Sequence, residues 1–378
     1  MIVLHAAPLV WGEISGLNAS LLGLVKAQSN VPGCCAAMVA THPRPGSAPA
    51  VGFPIFARDT VLRVPERLDL PSPFDRPDLV VFNSTYIPFH ARFAAKLRRL
   101  GIPYIICPHG NMTRGAQHYK WLKKRLGNLL FFNKLVAHAK AIHCLTVGEA
   151  EQTVGWGKPI FVVGNGVCLP PAWQLAAPGR SERLRLAFVG RLDIRHKGLD
   201  WLLEACRLAG AELRQRGAEV ELWGPDVNGV FPLLAGYIAR HRLQDVVRLC
   251  GPVLGEAKTA LLRQIDVFVH TSRWEGHPMA VLEALAFGLP CLLTPGTNLA
   301  DDVAAAGAGF RAEPSPEAIA QCLRRILKAP ASEIQRAGRQ ARLLAEREFD
   351  WERIAARLMR HYQTYTVPYS ARAALHAA

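Results

Sequence analysis

The chain has 378 residues, half of them hydrophobic and 20% charged, which is globular composition rather than disorder and enough for two domains of ordinary size. Lys and Arg number 45 against 30 Asp and Glu, and the formal net charge of +15 favours anionic partners: nucleotides, nucleic acid or an anionic membrane surface. No window approaches twenty apolar residues, the nine cysteines include no C-x-x-C pair, and the thirteen histidines include no H-E-x-x-H spacing, which argues against a membrane span, a disulfide framework and a protein metal site.

The opening MIVLHAAPLVWGEISG lacks a basic region before its apolar run and reads as a first β-strand, not a signal peptide. With thiols read as reduced and mostly buried, a cytoplasmic chain is expected. IVLHAAP (2–8), CCAAMVAT (34–41), DLVVFNS (78–84), PYIICPHG (103–110), AIHCLTV (141–147) and IFVVGNGV (160–167) read as buried strands of a parallel sheet, most of them separated by helical stretches. Within this half, KWLKKRLGNLLFFNKLVAHAK (120–140) is basic on one side and carries Trp121, Leu126, Leu129, Leu130, Phe131 and Phe132 on the other. It suits an anionic bilayer with Lys120, Lys123, Lys124 and Arg125 toward headgroups. The plain alternative is a surface helix packing its apolar face on its own domain.

The Pro- and Ala-rich 168–182 has no periodicity and reads as a linker. A second series follows: LRLAFVGR (184–191), VELWGP (220–225), VVRLCGPV (246–253), VFVHTS (267–272) and PCLLTP (290–295), with helices expected over 198–217 and 278–288. An amphipathic helix is expected over 349–365. The pattern predicts an α/β chain of two doubly wound, Rossmann-like domains. The first spans 1–170 and is completed by a C-terminal helix of about 352–378; the second spans 183–351, with 171–182 between them.

Two stretches carry chemistry. In LAFVGRLDIRHKGLDWLLEA (186–205) a strand ends at Gly190, Arg191 follows it, and Lys197 comes just before a helix. Ligands of doubly wound sheets bind at the carboxyl ends of strands, so Arg191 and Lys197 stand where a phosphate would sit, with Gly198 and a helix N-terminus expected to add backbone donors. A solvated basic loop is the alternative. In TSRWEGHPMAVLEALAFGLPCLL (271–293), Glu275 and Glu283 lie in an apolar run where a buried carboxylate needs a partner. Glu275 falls in a turn at a strand's carboxyl end. Pro278 suits the first helical position and Gly288 the C-cap. Glu283 lies about one and a half turns into the helix, long enough to reach the same cleft. Carboxylates accept hydrogen bonds from vicinal hydroxyls, so sugars are natural partners. Alternatively, both acids are structural and pair with Arg273 or buried backbone donors.

FVGRL with its Lys-Gly, followed about 80 residues later by E-G-x-P-x-x-x-x-E-A, resembles glycosyltransferase family 4, the retaining enzymes of the GT-B fold. PHG (108–110), LTVGEAE (145–151), GNGV (164–167), LWGPD (222–226), LCGPV (249–253) and FDWERIAARLMRHY (349–362) stand in the family's order. The resemblance implies two Rossmann-like domains facing a cleft, with the C-terminal helix crossing back to the first. It implies that Arg191 and Lys197 hold a donor diphosphate, that Glu275 binds the transferred sugar and that Glu283 binds the ribose. It also implies donor contacts at Gly190, Gly224, Gly276, His277, Pro278 and Met279, a border to the base at Val253, a first-loop approach at Gly12 and Gly16, and a place for His109 at the reaction centre. A lone histidine such as His109 is equally read as structural. The first loop lacks the paired Gly-Gly of the family, and LWGPD stands for its more usual Gly-x-Gly.

The function expected from this resemblance is transfer of a sugar from a nucleoside diphosphate sugar to a saccharide, read as lipid-linked, in exopolysaccharide or lipopolysaccharide synthesis. No cofactor and no metal are expected, since two cations and a helix N-terminus can stabilise the leaving diphosphate. No nucleic-acid recognition motif accompanies the basic charge, so nucleic acid is not expected as a partner. The rivals are a non-catalytic nucleotide-binding relative and a Rossmann-type oxidoreductase, the latter weakened because APLVWGEISG does not match G-x-G-x-x-G.

Overall fold

The computed structural model describes residues 1–9, 16–42, 51–118, 121–177 and 183–366. The chain forms two compact units, 1–166 together with the chain from 351 onward, and 167–350.

The first unit is built on β1 (Ile2–Ala7), β2 (Cys35–Ala40), β3 (Ile55–Ala57), β4 (Leu79–Asn83), β5 (Tyr104–Cys107), β6 (Ile142–Cys144) and β7 (Ile160–Val162). Their order in the sheet is β3-β2-β1-β4-β5-β6-β7, with Val3 beside both Ala36 and Leu79. The pairings are parallel, as expected of strands that are apolar along their whole length and buried on both faces. On one face Leu4, Val80, Phe82 and Ile106 pack with Phe93 and Leu97 of the helix Pro88–Arg99. Phe82 meets Phe93 and Tyr104 edge-on, at 5.6 and 5.3 Å between ring centroids.

The chain returns to this unit through the helix Trp351–Gln363. The Trp351 indole occupies the space where a Cβ of Gly23 or Gly166 would stand, at 2.6 and 2.4 Å, so both positions exclude a side chain. Further along the helix, His361 stacks on Phe161 at 4.6 Å.

The second unit carries β8 (Arg185–Val189), β9 (Glu219–Trp223), β10 (Val247–Leu249), β11 (Val267–His270), β12 (Cys291–Leu293) and β13 (Gly309–Arg311). They lie parallel in the order β10-β9-β8-β11-β12-β13. Alternate residues serve opposite faces: Leu186, Phe188, Val267 and Val269 join one apolar cluster, and Ala187, Val189 and Phe268 the other. Both sheets are doubly wound, as the alternation of strand and helix signals predicts. Each reverses its winding once, between β1 and β4 and between β8 and β11.

Several details differ from the sequence reading. The C-terminal helix expected over about 352–378 ends at Gln363. The helix expected over 198–217 is two, Leu199–Leu208 and Gly210–Arg216, because Ala209 leaves helical geometry (φ −101°, ψ 14°) just before a glycine. Part of the expected linker is also packed. Leu169 and Ala176 lie on the second unit's core, and the Ala176 N–H donates to Phe287 O at 2.8 Å. Residues 178–182 lie outside the described residues.

Candidate functional site

β8 and β11 are parallel neighbours, so the loops leaving their carboxyl ends lie side by side at the point where the winding reverses. The loop after β8 forms the short helix Ile194–Lys197, capped by Asp193, whose Oδ1 accepts from the His196 N–H at 2.8 Å. Gly198 ends it at φ 63°, a left-handed conformation that a side chain resists. A Cβ there would also lie 2.2 Å from Thr271 O, so only glycine allows this approach. The two loops are laced by Arg273 N–H to His196 O (3.0 Å) and by Thr271 Oγ1 to Gly198 O (3.2 Å).

That lacing brings Lys197 and Glu275 together. Lys197 Nζ lies 2.5 Å from Glu275 Oε1, and both side chains are 10% exposed. The same oxygen takes Ser272 Oγ at 2.7 Å and His270 Nε2 at 3.0 Å. Burial opposes ionisation of Glu275, but the His270 hydrogen bond and the Lys197 charge outweigh it and hold the carboxyl well below its ordinary range. Oε2 has His196 Nε2 at 3.7 Å, beyond hydrogen-bonding reach. One oxygen is therefore saturated, while the other is held rigidly with acceptor capacity to spare. Lys197 has three donors and spends one on Glu275, which leaves two for an anion. Trp274 stacks on the His196 ring at 5.1 Å.

The remaining candidates fall as follows. Arg191 is exposed and makes no ion pair or side-chain hydrogen bond with the described residues. Glu283 does not join the Glu275 group: it pairs with Lys258, from the helix Gly255–Gln264. The alternative reading paired both acids with Arg273 or buried backbone donors; neither acid pairs with Arg273, which is bidentate to Asp200 at 2.7 and 2.6 Å. Gly198 adds no free backbone donor, because its N–H is already given to Ile194 O. The Gly190 amide is likewise committed to Trp223 O at 2.9 Å. A Cβ on Gly224 would stand 1.7 Å from Gly190 O, so the single glycine of LWGPD supplies the close strand approach. Val253 is partly buried against the apolar cluster under the sheet.

The helix after Glu275 runs Met279–Ala286, and Pro278 is its N-cap rather than its first helical residue. Gly288 lies just past its end at φ 77°, as the C-terminal signal predicts. No side chain caps its N-terminus, and Asn298 Nδ2 holds the carbonyls of Glu275 (2.7 Å) and Gly276 (3.1 Å) instead, fixing the turn that leads into it. His277 is buried with its ring edge-on to Phe349, and burial pushes its pKa down to about 4.

In the first unit, Gly16 opens the helix Gly16–Ser29, and Gly12 lies outside the described residues. His109 follows β5 at φ 50°, held left-handed at that sheet's carboxyl edge like Ser84 after β4. Its Nε2 meets Asn83 Oδ1 at 3.2 Å, and Asn83 Nδ2 in turn meets His5 Nδ1 at 3.3 Å. Burial, reinforced by His143 and His5, pushes the His109 pKa down to about 3, so the ring is neutral. Glu149 braces the loop, accepting from Gly110 N at 2.5 Å and Leu145 N at 2.7 Å. Among the described residues no group of three His, Cys, Asp or Glu side chains is placed to hold a metal ion.

His270, Ser272, His196, Asn298 and Lys258 were not singled out from the sequence. The first two are the last residue of β11 and its near neighbour, in VFVHTS; a polar residue ending an apolar strand is the signal that could have found them. Lys258 carries none, since it sits in a helix with no motif.

Residues 183–329 match the family model described as glycosyl transferases group 1, and residues 27–166 match the glycosyl transferase 4-like domain. The putative glycosyltransferase EpsF of Bacillus subtilis is 30% identical over 224 residues, 54% of this chain and 55% of EpsF. The glycogen synthase of Mycobacterium tuberculosis is 28% identical over 288 residues, 74% of this chain and 67% of the synthase. The putative colanic acid biosynthesis glycosyltransferase WcaL of Escherichia coli is 29% identical over 177 residues, 44% of this chain and 42% of WcaL. The chain thus spans about half the length of EpsF and less of WcaL. Among solved structures, Anabaena HepE in complex with UDP and glucose superposes with a TM-score of 0.73 at 15% identity, over 96% of this chain and all of HepE, which shows a shared fold.

Proposed function

We propose that this chain, which belongs to the glycosyltransferases built from the group 1 and 4-like domains, moves a sugar from a nucleoside diphosphate sugar to a saccharide acceptor in bacterial polysaccharide synthesis. The observation that carries the reading is the pair at the carboxyl edge of β8 and β11: Lys197 with two donors to spare, beside Glu275 with one free oxygen. Cleavage of the bond between the sugar's anomeric carbon and the phosphate oxygen leaves its electron pair, and growing negative charge, on the diphosphate. Lys197, fixed by Glu275, meets that charge without reorganisation, and the uncommitted Arg191 adds a second cation. Glu275 Oε2 accepts from a hydroxyl of the sugar being moved. The acceptor hydroxyl forms the new glycosidic bond and gives up its proton; with transfer to the same face, the departing phosphate oxygen receives it. Retention, independence of metal and a lipid-carried acceptor complete the reading. The name of WcaL, which places it in colanic acid biosynthesis, supports the polysaccharide setting, and HepE, with UDP and glucose bound, supports a nucleotide-sugar donor.

A thermal-shift panel tests it. UDP or GDP raises the melting temperature, while NAD and duplex DNA leave it unchanged. Stabilisation by NAD alone, or by DNA, overturns the reading.

A further inference from the structure

The first unit carries an apolar surface that its own core does not use. Residues 121–137 run as the helix Trp121–Gly127, a widened turn Asn128–Phe132 and the helix Asn133–Ala137. Their side chains divide sharply. Phe132, Leu135 and Val136 enter the core, with Phe132 edge-on to Tyr86 at 4.9 Å. Trp121 (53% exposed), Leu122 (64%), Leu126 (58%), Leu129 (75%), Leu130 (57%) and Phe131 (51%) do not. Leu122, Leu126, Leu129 and Leu130 recur at i, i+4, i+7 and i+8, so they line one stripe. The segment's second helix packs on its domain, but the stripe ahead of it faces outward. Contiguous exposure of large apolar side chains marks an interaction site.

The surrounding charge says what kind. From Asp78 to Glu149 the sequence contains no acidic residue, while Arg92, Lys96, Arg98, Arg99, Arg114, Lys120, Lys123, Lys124, Arg125, Lys134 and Lys140 fall between them. Lys123, Arg125 and Lys134 are exposed beside the stripe. Lys124 is not available, because its Nζ donates to Ala116 O at 2.5 Å and lies over the Tyr86 ring. Lys120 lies outside the described residues. A second copy of the chain is a poor occupant, since a two-fold contact would set these cations against their own kind. An anionic lipid surface answers both features at once, taking the leucines into its acyl boundary and the cations at its headgroups. No described helix is long and apolar enough to cross a membrane.

We propose that the stripe Leu122, Leu126, Leu129 and Leu130, flanked by Lys123, Arg125 and Lys134, docks this chain on an anionic phospholipid bilayer. The proposal stands apart from the transferase reading, because its test measures no transfer and no nucleotide. The full chain is floated with vesicles of phosphatidylglycerol and phosphatidylethanolamine, and with vesicles of phosphatidylcholine alone. It rises with the first, much less with the second, and is released as salt is raised. Lys123→Gln and Arg125→Gln each lower partitioning about five-fold. The double variant Leu126→Asp with Leu130→Asp lowers it at least about tenfold while its melting temperature stays within a few degrees. Should that variant fail to fold, Leu129→Ser, the most exposed of the stripe, still weakens flotation. A wild-type chain that stays at the bottom with the anionic vesicles overturns the proposal. So does equal flotation of the aspartate variant, or a light-scattering dimer that the aspartate variant dissolves and that vesicles do not displace.

Discussion

Lys197 Nζ stands 2.5 Å from Glu275 Oε1 although the two residues lie on different loops, 78 positions apart in the chain. The contact exists because β8 and β11 are parallel neighbours and because Gly198 lets the first loop press against Thr271. It ties the fold of the second unit to its chemistry, and the two roles can be separated.

Lys197→Ala leaves a buried, hydrogen-bonded carboxylate without its cation, and is expected to cost about 3–5 kcal/mol of stability. Arg191→Ala, at an exposed side chain without an ion pair, is expected to change stability by no more than about 0.5 kcal/mol yet to cut turnover about 10²-fold. Urea denaturation set beside steady-state transfer rates checks both. Full activity in Arg191→Ala would remove it from the site.

Glu275 and Glu283, read from the sequence as neighbours, take different cationic partners, Lys197 and Lys258. Glu275→Ala is therefore expected to lower transfer much more than the thermal shift produced by free nucleotide. Glu283→Ala should lower the nucleotide shift, and Lys258→Ala should reproduce it by releasing Glu283 from its position. Equal losses of both readouts in all three variants would contradict the division.

Gly198 and Gly217 share φ 63°, but a Cβ on Gly217 meets nothing within 4 Å while one on Gly198 meets Thr271 O at 2.2 Å. Gly217→Ala should cost only the left-handed conformation, about 1–2 kcal/mol. Gly198→Ala should cost more and also abolish the nucleotide-induced thermal shift, since it parts the two loops. Similar melting curves for the two variants would show that the close approach does not matter.

Four histidines of the first unit, with His5, His90 and His143 buried and His109 half-buried, have pKa values pushed down by desolvation: His5 and His143 to about 4, His90 and His109 to about 3. Above their ordinary value of 6.5 both folded and unfolded chains hold them neutral. Below it the unfolded chain takes up protons that the folded unit refuses, so stability falls with pH. Each contributes about 1.4 kcal/mol per pH unit once the unfolded value is passed. Melting temperature is expected to be flat above pH 7 and to drop steeply between pH 6.5 and 5. No drop over that range would mean that these rings gain protons in place.

The architecture was legible because strands buried on both faces read as continuous apolar runs, and because turn residues punctuate them. LRLAFVGR and VFVHTS became β8 and β11, and the helix signal at 278–288 became Met279–Ala286. The edge strands β3 and β13 escaped notice, since IFA is only half-buried and GFR buries a single side chain, so neither reads as a buried apolar run. At the site, residues with a chemical reason to interrupt an apolar run, Lys197 and Glu275, stood out. The partner of Glu283 did not, because side-chain pairing between a helix and a distant lysine leaves no local pattern. Nor could the sequence tell that Gly198 spends its amide on Ile194 or that Lys124 folds inward, since both depend on where neighbouring turns close.

The central claim is that Arg191 and Lys197, without a metal, hold a donor diphosphate at the edge of β8. Calorimetric titration of UDP and GDP into the full chain in EDTA, wild type beside Arg191→Ala, tests it most directly. At least one nucleotide should bind the wild type under these conditions, and Arg191→Ala should weaken it about tenfold or more, the loss of one charge-assisted contact to phosphate. Equal affinity in the two proteins, or binding that appears only when a divalent cation is restored, would contradict the account.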